Sequence, residues 1–354
     1  MATALSSRLF GTAPDGERVD AWTLRGACGL TLEIITYGAA VTRLLAPDRE
    51  GRFADVVLGF DNLAAYFSHS AYFGSVVGRV AGRVSKARFT LDGEVHEVVP
   101  NDPPNHLHGG SRGFDKRIWN AAPAENTTGE PSLRLTYRSP HLEDGYPGTV
   151  DVTVTYTITH DNALLVESQG VTDRPTPFSL TLHHYFNLAG EGSGTIEDHE
   201  LLIYADEYIQ ADEFMTLLGK PTVVTKNQND FRRPRVLGEV IPSLFRNHGD
   251  LYIIRRTRED IRASIPLPAA RLIHPASGRA LKIFTTATHL QLYTSSGLDG
   301  SLTGKSGAVY PQYSGVCLEC EGYPDGANQP QLGNIILRPG SPRREVTRYD
   351  FSCV

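Results

Sequence analysis

The chain has 354 residues, 40% of them hydrophobic and 21% charged, and a formal net charge of −6. That apolar fraction is enough for a sizeable core, which excludes disorder as the main state, and no apolar run reaches the roughly 18 residues of a membrane-spanning helix. The 34 Lys and Arg are dispersed rather than gathered in a stripe, so nucleic acid is excluded as the expected partner and a small molecule or a protein takes its place.

Along the chain, residues 1–16 carry one Arg and no long apolar stretch, so they do not read as a secretory signal. The four cysteines, Cys28, Cys317, Cys320 and Cys353, are too sparse for a disulfide scaffold and fit a reducing, cytoplasmic setting. Strand signals dominate from there on. Residues 30–37 (LTLEIITY), 88–91 with 94–99 across Asp92-Gly93, and 149–159 (TVDVTVTYTIT) alternate or are β-branched and aromatic. Residues 163–167, 201–204, 281–286, 289–294, 315–319 and 334–337 behave alike. Asp-Gly pairs at Asp15, Asp92, Asp144, Asp299 and Asp325 predict turns, because both residues tolerate positive φ. The only helix expected is a short one over 62–67. No linker divides the chain, so residues 1–354 are expected to form a single all-β domain of stacked sheets, a large sandwich rather than a small barrel.

Polar residues collect in five segments. In YFGSVVGRVAGRVS (72–85), Arg79 and Arg83 stand among small and apolar residues, which favours burial and pairing. In NHLHGGSRGF (105–114), His106 and His108 would face the same way on a strand, and a metal there needs a third ligand from elsewhere. In SLTLHHYFNLAG (179–190), His183 and His184 point to opposite faces, so one of them shares a pocket with Tyr185. In NHGDLY (247–252), Asp250 precedes an apolar strand and by itself is a turn residue. In CLECEGYPDGANQP (317–330), Glu319 and Glu321 share one face of a strand while Leu318 and Cys320 share the other. A carboxylate inside an apolar strand must be paired or hydrogen-bonded to be tolerated, which makes Glu319 the strongest functional candidate. The Cys317–Cys320 CxxC has no second pair to complete a zinc site. His, Glu, Arg and Asp on a broad β surface suit acid–base chemistry on a polyhydroxylated substrate, leaving glycosidase, lyase and epimerase open.

These segments, in order and spacing, resemble the aldose 1-epimerase (galactose mutarotase) family nearly end to end. ITYGAAVTRLLAPDREGRFADVVLGFDNLAAY, YFGSVVGRVAGR, NHLHGGSRGFDKRIW, DGYPGTVDVTVTYT, LTLHHYFNLAG, TTATHLQLYTSSGLDG and CLECEGYPDGANQP followed by ILRPG carry the likeness. The resemblance implies a single large antiparallel β-supersandwich. It implies Glu319 as general base, His183 as general acid, and His108 as the histidine at the sugar ring oxygen. Arg83, Asp250 and Gln291 then contact the substrate, with Tyr185 beside them. The implied reaction opens the C1–O5 bond of a hexose such as galactose or glucose, rotates C1–C2 and recloses the ring. Opposite charges are expected to hold His183 protonated and Glu319 ionised near neutral pH. No cofactor or metal is implied. The expected partner is a small sugar or other hemiacetal, with neither nucleic acid nor membrane, and the chain is expected as a monomer or homodimer.

The chain departs from the family pattern at four places. Gly82 stands where relatives usually carry Asn, Leu182 where they carry Asn, Leu251 where they carry His, and Glu321 where they carry Gln. Gly82, Leu182 and Leu251 motivate one alternative, the same acid–base pair acting on another hemiacetal or lactol; a non-catalytic sugar-binding module on the same fold is the other.

Overall fold

The computed structural model describes residues 4–69 and 71–354. Among these residues, antiparallel strands form three main sheets. A five-stranded meander runs from Ala4–Thr12 to Phe53–Asp55. A nine-stranded sheet carries Val150–Ile158, Ala163–Thr172, Arg343–Cys353 and Arg279–Thr285 side by side at its centre. A six-stranded sheet places Val316–Glu321 next to His289–Tyr293, and that strand next to Leu251–Ile254.

Period-two alternation explains the packing. Val150, Val152, Val154 and Tyr156 point inward from one strand, and they share a core with Leu24, Ile34 and Val41 of the meander and Leu290, Leu292 and Leu318 of the six-stranded sheet. The opposite face of that last sheet is therefore left for polar work. The Asp92-Gly93 pair turns as expected: both residues are left-handed, at φ 51° and 89°, and Leu91 pairs with Glu94 across them. The short helix is Leu63–Ser68, with the Asn62 side chain accepting from the Ala65 N–H.

Several strands escape the pattern for physical reasons. Arg343–Cys353 is the longest strand among the described residues, yet its first half carries charges on both faces, Arg343 and Glu345 on one and Arg344 on the other, and this hides the alternation. Leu217–Val223 and Leu267–Ile273 each contain a proline, which argues against a strand in sequence. Asp325-Gly326 is not a left-handed turn. Asp325 is buried, and its carboxylate accepts from the Ser85 N–H (3.1 Å), the Ser85 hydroxyl (2.5 Å) and the Asn328 and Gln329 amides. It ties the loop after Val316–Glu321 to the segment that bears Arg83.

Arg79 anchors the same region from the other side. Only 2% exposed, it donates to the carbonyls of Pro147 and Gly148 (2.9 Å each) and Pro140 (3.1 Å) and to the Ser139 hydroxyl (2.6 Å). Its role is to satisfy buried acceptors of neighbouring loops, and it stands away from the cleft described next.

Candidate active site

Alternation along Val316–Glu321 turns Cys317, Glu319 and Glu321 to one face and Leu318 and Cys320 to the core. The CxxC is thereby split between two faces, which removes it as a chelating pair. Antiparallel register sets Gln291 beside Glu319, His289 beside Glu321 and Tyr293 beside Cys317, with Leu251 beyond Gln291. This face floors a cleft of about 660 Å³, a size suited to a small-molecule ligand. Glu319, His183, His108, Arg83, Asp250, Gln291 and Tyr185 all line it.

His183 reaches the cleft from the segment between Thr181–Leu182 and Tyr185–Phe186. Its N–H donates to the Ser75 carbonyl and its carbonyl accepts from the Gly74 N–H, at 3.0 Å each. Tyr72 and Tyr185 both stack near its ring, with centroids 5.6 and 5.0 Å away and interplanar angles of 20° and 23°. Its Nε2 lies 3.6 Å from Glu319 Oε2, and its Nδ1 lies 3.6 Å from the Cys317 thiol. His184 points the other way, against Phe186 and Tyr349.

His106 and His108 do not face the same way. His108 is left-handed (φ 53°), which takes it off the strand His106–Leu107 and into the cleft. His106 stays in an apolar pocket, with Nδ1–H donating to the Val99 carbonyl (2.7 Å) and Nε2 accepting from Tyr146 (2.8 Å). The His108 backbone donates to the Gly82 carbonyl, and the Gly82 N–H donates to His108 Nδ1 at 3.1 Å. That second bond places the His108 proton on Nε2, facing the cleft as a donor. Burial, with help from His183 and Arg83, holds the imidazole well below its ordinary range and so neutral.

Three ligand atoms of His108, His183 and Glu319 lie within 4.8 Å of one another, a set that suits zinc in composition. The donor chemistry does not fit. With Nδ1 of His108 taken by an amide N–H, its Nε2 carries a proton and offers no lone pair.

Burial also reverses the ionisation expected for the central pair. It pushes the Glu319 carboxyl up to about 8, with Arg83 opposing, and the His183 imidazole down to about 3. The proton therefore sits on glutamate beside a neutral histidine. Pairing in sequence suggests attraction between opposite charges; removal from water costs both groups more than that attraction returns.

The remaining groups are held individually. Arg83 donates through Nε to Asp102 (2.7 Å), keeping its other N–H groups for the cleft. Gln291 donates through Nε2 to the Leu292 carbonyl at 2.7 Å. Asp250 accepts from the Asn229 amide at 2.9 Å, and the Ala211 backbone also hydrogen-bonds its carboxylate. Its burial raises its pKa to about 6, above the ordinary 3.8. The folded chain thus binds this proton more tightly than the unfolded one, and ionisation costs stability, from nothing below about pH 4 to at most about 3 kcal/mol above pH 6. Asp250→Asn is expected to be the more stable protein at pH 7.5, with the difference vanishing at pH 4; urea unfolding at the two pH values measures it, and equal stability at pH 7.5 would refute it.

Three cleft residues carry no clear sequence signal: Tyr72, His248 and Tyr293. Tyr72 is left-handed (φ 58°) and belongs to no strand, so periodicity cannot find it. His248 stands two residues before Asp250 and packs on Tyr293 at 4.5 Å, a proximity that chain order alone conceals. Of the four departures, Gly82, Leu251 and Glu321 line the cleft; Leu182 instead packs on the core.

The family described as aldose 1-epimerase matches residues 20–350. A galactose mutarotase of Rattus norvegicus is 41% identical over 352 residues, 99% of each chain. That of Homo sapiens is 39% identical over 351 residues, again 99% of each chain. A GalM/aldose epimerase homologue from C. elegans has a similar solved structure, with a TM-score of 0.85 at 29% identity over 100% of both chains.

Proposed function

Because the chain belongs to the aldose 1-epimerase family, we propose that this cleft interconverts the α and β anomers of free hexoses such as galactose and glucose, with Glu319 and His183 exchanging protons with the sugar. The observation that carries the reading is the 3.6 Å approach of His183 Nε2 to Glu319 Oε2 on the cleft wall.

Hydrogen bonds from a bound ring offset the cost of burying charge, and the shared proton moves from Glu319 to His183. Glu319 as carboxylate takes the proton of the anomeric O1 hydroxyl. His183 gives its Nε2 proton to the ring oxygen O5, the C1–O5 electron pair goes to O5, and C1=O1 forms. The pair is then a neutral carboxyl and a neutral imidazole, the state that burial favours. Rotation about C1–C2 turns the other aldehyde face toward O5. Glu319 returns its proton to O1, His183 recovers the one on O5, and the opposite anomer closes. His108 Nε2–H donates to the substrate, and Arg83, Asp250, Gln291 and Tyr185 hold the rest of it. Each positioned proton transfer contributes about 10²–10⁴-fold.

The active pair holds one proton whichever group carries it. Removing that proton leaves nothing for O5, so kcat/KM is expected to fall above about pH 8, where Glu319 titrates. A pH–rate profile still rising at pH 9 would contradict this. Arg83, Glu321 and Cys317 bear on Glu319, and His108, His184 and His248 on His183.

Polarimetry on freshly dissolved α-D-galactose and α-D-glucose tests the function directly. The protein should speed relaxation well above the spontaneous rate; relaxation at that rate alone for both sugars would overturn the reading. Residues 1–354 then act as one domain on a small sugar, as a monomer or homodimer in the cytoplasm. All four cysteines are free thiols, and no described helix is long and apolar enough to cross a membrane.

A further inference from the structure

Tyr72, which the mechanism above leaves unused, is in ring contact with both His183 and His108. Its ring centroid lies 5.6 Å from that of His183 at an interplanar angle of 20°, and 4.8 Å from that of His108 at 65°. The two imidazoles meet each other edge to face at 5.3 Å. Among the described residues the Tyr72 hydroxyl has no hydrogen-bond partner, so the ring is the part of this side chain that the cleft uses.

The backbone at Tyr72 is left-handed (φ 58°), an outlier for a bulky residue that persists only where its surroundings hold it. They do so through His183. The Ser75 N–H closes a turn onto the Tyr72 carbonyl, the Gly74 N–H donates to the His183 carbonyl, and the His183 N–H donates to the Ser75 carbonyl, all at 3.0 Å. Gly74 admits no side chain, because a Cβ there would stand 2.0 Å from the Val41 carbonyl oxygen. Lys116 Nζ stands over the Tyr72 ring at 5.0 Å and is paired with buried Asp115 at 2.7 Å. Together with His69 and Ala71, Tyr72 lines both the cleft and a neighbouring crevice of about 150 Å³, and so partitions the two.

We propose that Tyr72 is a positioning residue for anomer exchange, its ring holding the His183 imidazole at Glu319 and against His108 while keeping water off both; this rests on the anomer-exchange reading above. A reacting group displaced by about 1 Å loses about 10²-fold in rate. The partition matters as well. The contact between His183 Nε2 and Glu319 Oε2 is buried, and a smaller side chain at position 72 joins the cleft to the crevice and lets water reach it. Besides the two histidines, the charged groups facing Tyr72 are Asp102, Asp115, Arg83 and Lys116, and all of them stay in place when the ring is removed.

The test measures kcat, KM and the pH dependence of kcat/KM for D-galactose, by polarimetry with the spontaneous rate subtracted, in the unmutated protein, Tyr72→Phe and Tyr72→Leu. Tyr72→Leu should lower kcat by about 10²-fold with KM little changed, because a misplaced imidazole spoils proton transfer and leaves sugar binding intact. It should also move the alkaline fall of kcat/KM below about pH 8. Water at the pair undoes the burial that raises Glu319 and lowers His183, and the ordinary values of both groups, 4.5 and 6.5, lie below that pH. Tyr72→Phe keeps the ring and should match the parent in rate and in pH profile. Incomplete folding of a variant lowers kcat without moving the alkaline limb. An unmoved limb or a kcat close to the parent's in Tyr72→Leu, or a Tyr72→Phe as slow as Tyr72→Leu, therefore overturns the role of the ring while leaving anomer exchange intact. Failure of the unmutated protein to accelerate galactose relaxation overturns both.

Discussion

Glu319→Gln is expected to lower kcat for galactose anomer exchange by about 10³-fold, measured by polarimetry at saturating sugar. The substitution keeps the size and hydrogen-bonding capacity of the side chain and removes only its ability to take the O1 proton. Its buried position argues that the fold will survive: a carboxyl already held neutral by burial loses little when it becomes an amide. Thermal unfolding of the variant should therefore match or exceed that of the parent. His183→Asn should produce a loss of similar size. Since acid and base work in one step, the double variant should be little worse than either single one. Residual activity within tenfold of the parent in Glu319→Gln would remove it from the role of base.

The second large effect is on stability. Arg79→Met should destabilise the fold by about 3–5 kcal/mol, read from the urea midpoint, although Arg79 touches no cleft residue's reacting atom. Met matches much of the side chain's length, so the loss is polar rather than a cavity. The carbonyls of Pro140, Pro147 and Gly148 and the hydroxyl of Ser139 would lose their donor in a place that water does not reach. Arg79→Lys should recover part of the deficit, because one ammonium cannot span acceptors that a guanidinium fork reaches together. A midpoint change worth less than 1 kcal/mol for Arg79→Met would mean that water replaces those bonds.

The two kinds of residue differ in how legible they are. Glu319 stands out because a carboxylate interrupts an apolar alternation, and period two alone puts Glu321 on its face. The His183–His184 pair is separated by the same rule. Arg83 and Arg79 look alike in sequence, each flanked by Val and Gly neighbours, and only the fold sends one to the cleft and the other among loop carbonyls. Asp250 could not be told from a turn residue, because its burial comes from Asn229 and from strands distant in the chain. His108 leaves its strand through a left-handed backbone that HGG only permits. The ionisation of the central pair was the reverse of the expectation because sequence displays charges and not their distance from water.

Substrate range in this scaffold is tied to the geometry of Val316–Glu321. Same-face positions on a strand recur about every 7 Å, and inserting or deleting one residue would send both carboxyls into the core and two apolar side chains into the cleft. Descendants of this chain can therefore explore new sugars by exchanging a side chain at a tooth of this comb. They cannot do so by re-spacing its teeth, so divergence here should be read as a series of single-letter edits against an invariant ruler.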